Sequence, residues 1–458
     1  MYEDFFNRPL EEVDRLISSL IQYEEERQAR KIILIPSESM APAPVRQALS
    51  SVFNNLYAEG YPPVRMVRAD EELLRDFAYQ LSYLRRYADR RFYKGVEYVD
   101  ILESLTQRRV AQCFSNPNAP AEEIFVNIQP LSGAAANLAV YDAFVEPGDV
   151  VMGMDLMHGG HLTHGSRFNF SGKRYNVVSY TVDPKTERLD YDQIMELAKE
   201  HRPKLLIAGY TSYPWAPDWK RFREIADAVG AILLADIAHT AGMVIGGVYP
   251  NPVGIADVVT FTTHKTILGP RGACILTTDE GKAQQIDSAV FPGEQGGPHT
   301  NKFAAMAVAF GIAQTEAFRE VQQRIVDNAK YLAEALKDKG IRLAYGGTDT
   351  HIVMVDLKSL HPELKGEPAA RILDLAGIVV NRNTIPGDTR TALATGIRLG
   401  TPWVSQQGMG QAEMERIAGL IHRILSNIKP FSYRGLRGEL PRGKIELDLL
   451  EEVKQEVE

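Results

Sequence analysis

The stretch Thr260-Phe-Thr-Thr-His-Lys-Thr-Ile-Leu-Gly-Pro-Arg-Gly272 holds a lysine between an extended run of hydroxyl and β-branched residues and a tight turn. A lysine restrained in this way loses hydration, its pKa falls, and its amine becomes a nucleophile able to form Schiff bases. Taken alone, a lysine in a loop is most often a solvated charge. A second stretch, Ala231-Ile-Leu-Leu-Ala-Asp-Ile-Ala-His239, changes that balance, because it reads as a buried strand ending in a carboxylate and then an imidazole. Pyridoxal phosphate needs a lysine for its aldehyde and an acid facing its pyridine nitrogen, which keeps the ring a protonated electron sink. Asp236 and Lys265 lie 29 residues apart, with Ala256-Asp-Val-Val-Thr as a strand between them. That arrangement sets the two groups at the ends of neighbouring strands, on either side of one cofactor.

The elements that must position this pair follow from periodicity. Ile124-Phe-Val-Asn-Ile-Gln-Pro reads as a strand, and Leu131-Ser-Gly-Ala-Ala-Ala-Asn as the turn opening a helix. Small residues there let backbone N–H groups approach a phosphate, and the helix N-terminus adds a favourable dipole. Leu205-Leu-Ile-Ala-Gly-Tyr-Thr-Ser-Tyr is a further buried strand, and residues 218–229 form a helix. Strand–helix–strand alternation over residues 124–275 predicts a mostly parallel sheet covered on both faces, with ligands bound at the strands' carboxyl ends. After Pro298 a long helical run and the alternating His351-Ile-Val-Met-Val-Asp suggest a smaller α+β domain. The expected organisation is a helical arm over 1–36, a large α/β domain over 37–300 and a small domain over 301–458. In the arm, Leu10, Val13, Leu16, Ile17, Leu20 and Ile21 recur at helical spacing, predicting one helix over residues 10–32 that packs on a partner subunit.

His158, His161 and His164 stand at spacing three. Clustered histidines can ligate zinc, but such sites want a further ligand and a defined helix face, and Gly159-Gly160 argue against a helix. No metal is expected.

Together, Thr262-Thr-His-Lys-Thr with Gly269-Pro-Arg-Gly, His158-Gly-Gly-His-Leu-Thr-His-Gly, Tyr57-Ala-Glu-Gly-Tyr-Pro and Phe291-Pro-Gly-Glu-Gln-Gly-Gly-Pro resemble the serine hydroxymethyltransferase family. The resemblance runs over residues 24–424. It implies a fold-type-I pyridoxal-phosphate enzyme that interconverts serine and glycine, moving one carbon to or from tetrahydrofolate or a related pterin. By the same resemblance Lys265 carries the cofactor, Asp236 faces its ring nitrogen, His161 covers the ring face, and Ser132, Gly133 and Ala134 meet the phosphate. Thr211, His239 and Arg271 also border the cofactor, and His264 and Thr263 complete the catalytic pocket. Ser37 and Arg398 hold the substrate carboxylate, and Glu59 is the acid–base group near the substrate hydroxyl, with Tyr93 beside it. Leu156, Gly160 and Asn383 lie on the folate side. Tyr57, Glu59, Tyr93, Gly296 and Gly297 are implied to reach the site of the other chain in a homodimer or tetramer.

The sequence also departs from the family pattern. Residues 63–90 form an insertion of about two dozen residues, in which Leu73, Leu74, Phe77, Leu81 and Leu84 predict one helix with a buried face. Phe92 replaces a tyrosine often found beside the folate, Ala134 and Ser39 replace serine and asparagine, and Pro36 replaces alanine. The insertion and Phe92 favour, as an alternative, a folate-independent aldolase or transaldolase acting on β-hydroxy amino acids. A cofactor-free scaffold would have lost Lys265 or Asp236, and both are present.

The remaining composition narrows the setting. The chain has 458 residues, 45% hydrophobic and 24% charged, ample for a large core. A net charge of −8 favours no nucleic-acid surface, and no apolar run reaches membrane-spanning length. Only Cys113 and Cys274 occur, so no disulfide framework exists. A cytoplasmic protein without membrane partners is expected.

Overall fold

The computed structural model describes residues 5–86, 90–435 and 438–458. Its centre is a sheet of seven strands: β1 (Phe125–Asn127), β2 (Val150–Met154), β3 (Asn176–Tyr180), β4 (Leu205–Ala208), β5 (Ile232–Asp236), β6 (Val258–Thr262) and β7 (Ala273–Thr277). Their order across the sheet is β1-β7-β6-β5-β4-β2-β3, and only β7 runs antiparallel to its neighbours. The strands are short apolar runs because both faces are covered. Along β4, Leu206 and Ala208 enter one buried cluster with Phe222, Phe261 and Phe310, while Leu205 and Ile207 enter another with Tyr141 and Val151. This period-two division is what a sheet between two helical layers requires.

A second unit has its own core, in which Leu332 and Leu336 of the helix Glu316–Asp338 meet Val353, Val355, Ile397 and Leu399. Those last four lie on β8 (Ile352–Asp356) and β10 (Gly396–Gly400), with β9 (Asn381–Asn383) on the far side of β10. The segment leaving the N-terminal arm also joins this unit. Ile32–Ile33 pairs in parallel with Ile378–Val379, and Gly400 N donates to Leu34 O at 2.9 Å.

Two helices expected from periodicity are broken, each at an aspartate. The arm is Leu10–Val13 followed by Arg15–Arg30, because Asp14 leaves helical geometry and accepts from Ile17 N at 3.1 Å. None of the residues in Arg15–Arg30 is buried. Within 63–90 the single helix is instead Val64–Val67, Glu71–Arg75 and Phe77–Arg86, with Asp76 ending the second and capping the third by accepting from Tyr79 N at 3.0 Å. An aspartate side chain satisfies a free helix-start N–H more readily than it tolerates a helix interior. Of the expected buried face only Leu74 is buried; Leu73 and Phe77 are exposed, Leu81 is half-buried, and Leu84's side chain lies outside the described residues. No helix among the described residues is long and apolar enough to cross a membrane.

Candidate active site

The carboxyl ends of five strands open onto one crevice. Asp236 closes β5, and its register partner Thr260 lies on the adjacent β6, which ends at Thr262 and delivers Thr263, His264 and Lys265. Met154 ends β2 and leads to the His158–Gly165 loop, Ala208 ends β4 and leads to Thr211, and β1 leads to Ser132.

Asp236 is 8% exposed, yet its carboxyl is held well below the usual range despite burial, because His164 and Asn137 donate to it. The hydrogen bonds fix one direction throughout. The backbone N–H of His161 donates to His164 Nδ1 at 3.2 Å, so the proton of a neutral His164 sits on Nε2 and faces Asp236 Oδ2 at 2.8 Å. Asn137 Nδ2 donates to Asp236 Oδ2 and to Thr163 Oγ1, both at 2.8 Å, while its Oδ1 accepts from Thr260 Oγ1 at 2.8 Å. Thr163 Oγ1, already an acceptor, donates onward to His161 Nδ1 at 2.8 Å. Ala238 N adds a third donor to the carboxylate at 3.0 Å. Donors to the charged form stabilise an anion in a dry site, and that anion calls for a cationic partner.

Lys265 is also buried, and no acceptor or carboxylate lies within bonding distance of its Nζ among the described residues. Burial lowers its amine to about 8, opposed by the attraction of Asp236 and aided by the Arg398 and Arg271 charges. Its backbone is held by Ser39, whose hydroxyl donates to Lys265 O at 2.6 Å. Thr263 is buried and donates through Oγ1 to Pro270 O at 2.6 Å, closing the turn that follows the lysine. His264 has an unpaired buried Nδ1 and is lowered to about 3 by burial, while Arg271 on the same turn is exposed. Arg398, on β10, crosses from the small unit: Nη1 donates to Thr211 O at 2.6 Å and Nη2 to Asn381 Oδ1 at 3.0 Å, leaving Nε without a partner. Thr211 Oγ1 in turn donates to the Gly159 and Gly160 carbonyls at 3.3 Å. His239 stacks on His351, Nδ1 to Nε2 at 3.3 Å, and burial keeps both imidazoles neutral.

The helix Gly133–Phe144 starts at the rim of this crevice, capped by Ser132 Oγ, which accepts from Ala135 N at 3.2 Å. Its first N–H groups have no intrahelical acceptor. Gly133 is close-packed there, since a Cβ would fall 2.8 Å from Thr262 Cγ2. An ionised carboxylate with spare capacity, an uncommitted amine and an open helix start fit the ring nitrogen, the aldehyde and the phosphate of pyridoxal phosphate.

The other residues named from sequence form a separate patch. Tyr57 and Tyr93 meet in a tilted contact, 4.9 Å between ring centroids and 51° between planes, and are both exposed. Glu59 Oε1 lies 3.1 Å from where a Cβ on Gly296 would be, and Tyr57 Cζ 2.5 Å from one on Gly297, so these glycines permit the approach. Among the described residues no hydrogen bond or ion pair joins this patch to Lys265, Asp236 or Arg398. Ser37, Leu156 and Asn383 are half-buried and Gly160 is buried; Asn383 Nδ2 bonds only the Thr384 carbonyl. The three histidines at spacing three do not gather as ligands. His158 offers its carbonyl to Tyr345 Oη at 3.0 Å, and no group of three or more potential ligands occurs among the described residues.

Sequence reasoning did not name His164, Asn137, Thr163, His351 or Ser39 as parts of the site. His164 carried a signal in its spacing from His161, and Asn137 in its place one turn into the helix after Ser132. Nothing local marks His351, whose partner is 112 residues away.

A mostly parallel seven-stranded sheet, with a buried lysine just beyond one strand and a carboxylate closing its neighbour, is the architecture of fold-type-I pyridoxal-phosphate enzymes. A family model described as serine hydroxymethyltransferase matches residues 10–73 and 72–421, and the chain belongs to that family of pyridoxal-phosphate-dependent transferases. The two matched stretches meet inside the segment 63–90.

Proposed function

We propose that the protein is a serine hydroxymethyltransferase that interconverts serine and glycine, with tetrahydrofolate or a related pterin taking up or delivering the one-carbon unit. The observation that carries this reading is the Asp236 carboxylate, buried with three donors, beside a Lys265 amine that has no partner. Bound pyridoxal phosphate supplies an electron sink for the negative charge that develops when a bond at the substrate's α-carbon breaks. Asp236, kept ionised by His164 and Asn137, holds a proton on the pyridine nitrogen. Lys265 holds the cofactor through its amine. With that amine lowered to about 8, a useful fraction is neutral near pH 7.5 and able to attack or move a proton. His161, its Nδ1 occupied by Thr163 and its orientation thereby fixed, would cover the cofactor ring. Arg398, fixed by Thr211 and Asn381, presents its remaining donors to the amino-acid carboxylate, with Ser37 assisting. Glu59 manages the proton on the substrate hydroxyl, which must move as the carbon–carbon bond is made or broken.

Glu59, Tyr57 and Tyr93 act in the site of a second copy of the chain. Two features support this: the exposure of Tyr57 and Tyr93, with Glu59 half-buried beside them, on a patch with no link to Lys265 among the described residues, and the stripe Leu16, Ile17, Leu20 and Ile21, between 42% and 69% exposed on the arm helix. An apolar stripe of that kind is a surface that a partner covers.

The deciding experiment is serine cleavage with and without tetrahydrofolate. Strong stimulation by the pterin supports this reading. Equal rates would favour the folate-independent aldolase, a reading supported by Phe92, exposed at the position where the family often has tyrosine.

A further inference from the structure

A cavity of about 720 Å³ opens at the free edge of the central sheet, between β1 and the helix Glu280–Ser288, beside the first helix of the 63–90 segment. None of the residues that gather around Lys265 lines it. Its volume lies within the roughly 300–1,000 Å³ of small-molecule sites. Apolar Ile124, Val126, Ile275 and Ile286 line it together with three arginines, Arg68, Arg90 and Arg108, and three carboxylates, Glu122, Glu280 and Asp287.

Two polar atoms on this wall lack partners. Gln107 is only 7% exposed; its Nε2 donates to Val126 O at 2.9 Å, and its Oε1 has no donor among the described residues. Arg108 spends Nη2 on Glu122 at 2.8 Å, but its Nε is likewise unpaired. A buried amide oxygen left unsatisfied is costly, and an occupant with an N–H or O–H would remove that cost. The cavity also presents cationic planes. The Arg68 guanidinium stacks 4.5 Å over Phe125, with one N–H on the Glu122 carbonyl at 3.1 Å. Arg90 lies 5.2 Å over Tyr61 and meets Asp287 at only 3.5 Å. Asp287 already accepts from Asn127 Nδ2 at 2.8 Å and, although burial raises its carboxyl to about 6, it stays ionised at neutral pH and divides its charge between Asn127 and the longer Arg90 contact. Flat guanidinium groups beside an apolar floor recognise flat anionic bodies.

We propose that this cavity is a second small-molecule site, built for a flat aromatic anion that carries an N–H or O–H donor. The apolar body rests on Ile124, Val126 and Ile275, the anionic group meets Arg68 and Arg90, and the donor reaches Gln107 Oε1 once that amide, whose oxygen is covered in the empty cavity, turns outward. This site is independent of the one-carbon reading.

The test uses the assembled holoenzyme and 8-anilinonaphthalene-1-sulfonate, an aromatic sulfonate with one N–H, followed by fluorescence. The expected result is one saturable site per chain that serine does not displace. Ala283→Trp, which fills the cavity from its wall, should weaken binding tenfold or more, with cofactor absorbance and melting temperature unchanged. Arg90→Gln should weaken it roughly tenfold, the loss of one charge-assisted contact. If Ala283→Trp does not fold, Arg90→Gln decides. No saturable binding, displacement by serine, or unchanged affinity in the folded variants would overturn the proposal.

Discussion

The two halves of the candidate site are built on opposite principles. Around Asp236 a closed web of side chains holds the carboxylate: Thr260 to Asn137, Asn137 to Asp236 and Thr163, Thr163 to His161, His161 to His164, His164 to Asp236. Among the described residues the Tyr57, Glu59 and Tyr93 patch has no such web of side chains, and its two tyrosines stand more than 40% exposed. What is ordered around Glu59 is the backbone. Arg91, buried against Asp100 and Glu103, donates to the carbonyls of Ala58 and Gly60 at 2.9 and 2.6 Å, on either side of Glu59. The web around Asp236 thus closes within a single chain, whereas the patch is a rigidly mounted surface that we propose serves a second copy. A buried half should fail locally when damaged, whereas a half that serves another chain should fail, and be rescued, between chains.

The largest effect expected is at Lys265. Borohydride reduction of the yellow wild-type protein followed by peptide mapping should place a pyridoxyl label on Lys265, and Lys265→Ala should remove the label and the activity entirely. A label on another lysine would dismantle the buried half as described.

Next in size is Glu59→Gln, which should lower turnover by ~10²–10⁴-fold, the range for a lost acid–base group. Mixing it with Lys265→Ala under conditions of subunit exchange sharpens the contrast. In a mixed dimer with shared sites, one site collects both lesions and the other neither. Half the dimers are mixed after random exchange, so roughly a quarter of wild-type activity should return. Absence of recovery despite demonstrated exchange would mean that each site is built within one chain.

Arg398→Lys should cost less, because a point charge keeps attraction but loses the planar fork. A loss of about 1–3 kcal/mol, or roughly 5- to 150-fold in the dissociation constant for glycine, is expected from isothermal titration. The free Arg398 is already tied to Thr211 O and Asn381 Oδ1, so the substitution also loosens the link between the small unit and β4's loop. Unchanged glycine affinity would move the carboxylate site elsewhere.

The contrast between the halves also explains what could be read in the sequence. The parallel sheet was legible because Leu205-Leu-Ile-Ala and Ile232-Leu-Leu-Ala-Asp are apolar on both faces, and Asp236 and Lys265 because each directly ends or follows such a run. The web that tunes them was not, since its contacts join residues 72 and 99 positions apart and exist only once the strands are ordered. Periodicity likewise predicted continuous helices through Asp14 and Asp76, where capping by a local side chain outweighed the apolar pattern. The proposed role of the Glu59 patch in another chain's site rests on family resemblance, because no residue type marks a side chain as destined for a partner.

The smallest predicted effect concerns acid stability, and it tests whether the buried half is as dry as its contacts imply. Burial lowers His161 to about 4, with His264 and His351 at about 3. A histidine whose folded pKa is depressed contributes stability that is fully present above its unfolded value near 6.5, and loses it as pH falls toward the folded value. Between about pH 6.5 and 4, unfolding takes up a proton at each such group, so each steepens the fall in stability by at most about 1.4 kcal/mol per pH unit. Asp236 acts in the same direction, but its window opens only below about pH 4, where an unfolded aspartate starts to protonate. His161→Phe keeps a flat ring against the site and removes one titrating group. Its cofactor-free form should therefore melt lower than wild type at pH 7.5, having lost the Thr163 bonds, yet show a shallower decline from pH 6.5 to 5. Parallel melting curves for the two proteins over that interval would mean that His161 is solvated in the free enzyme, and that the buried half is assembled by the cofactor rather than before it.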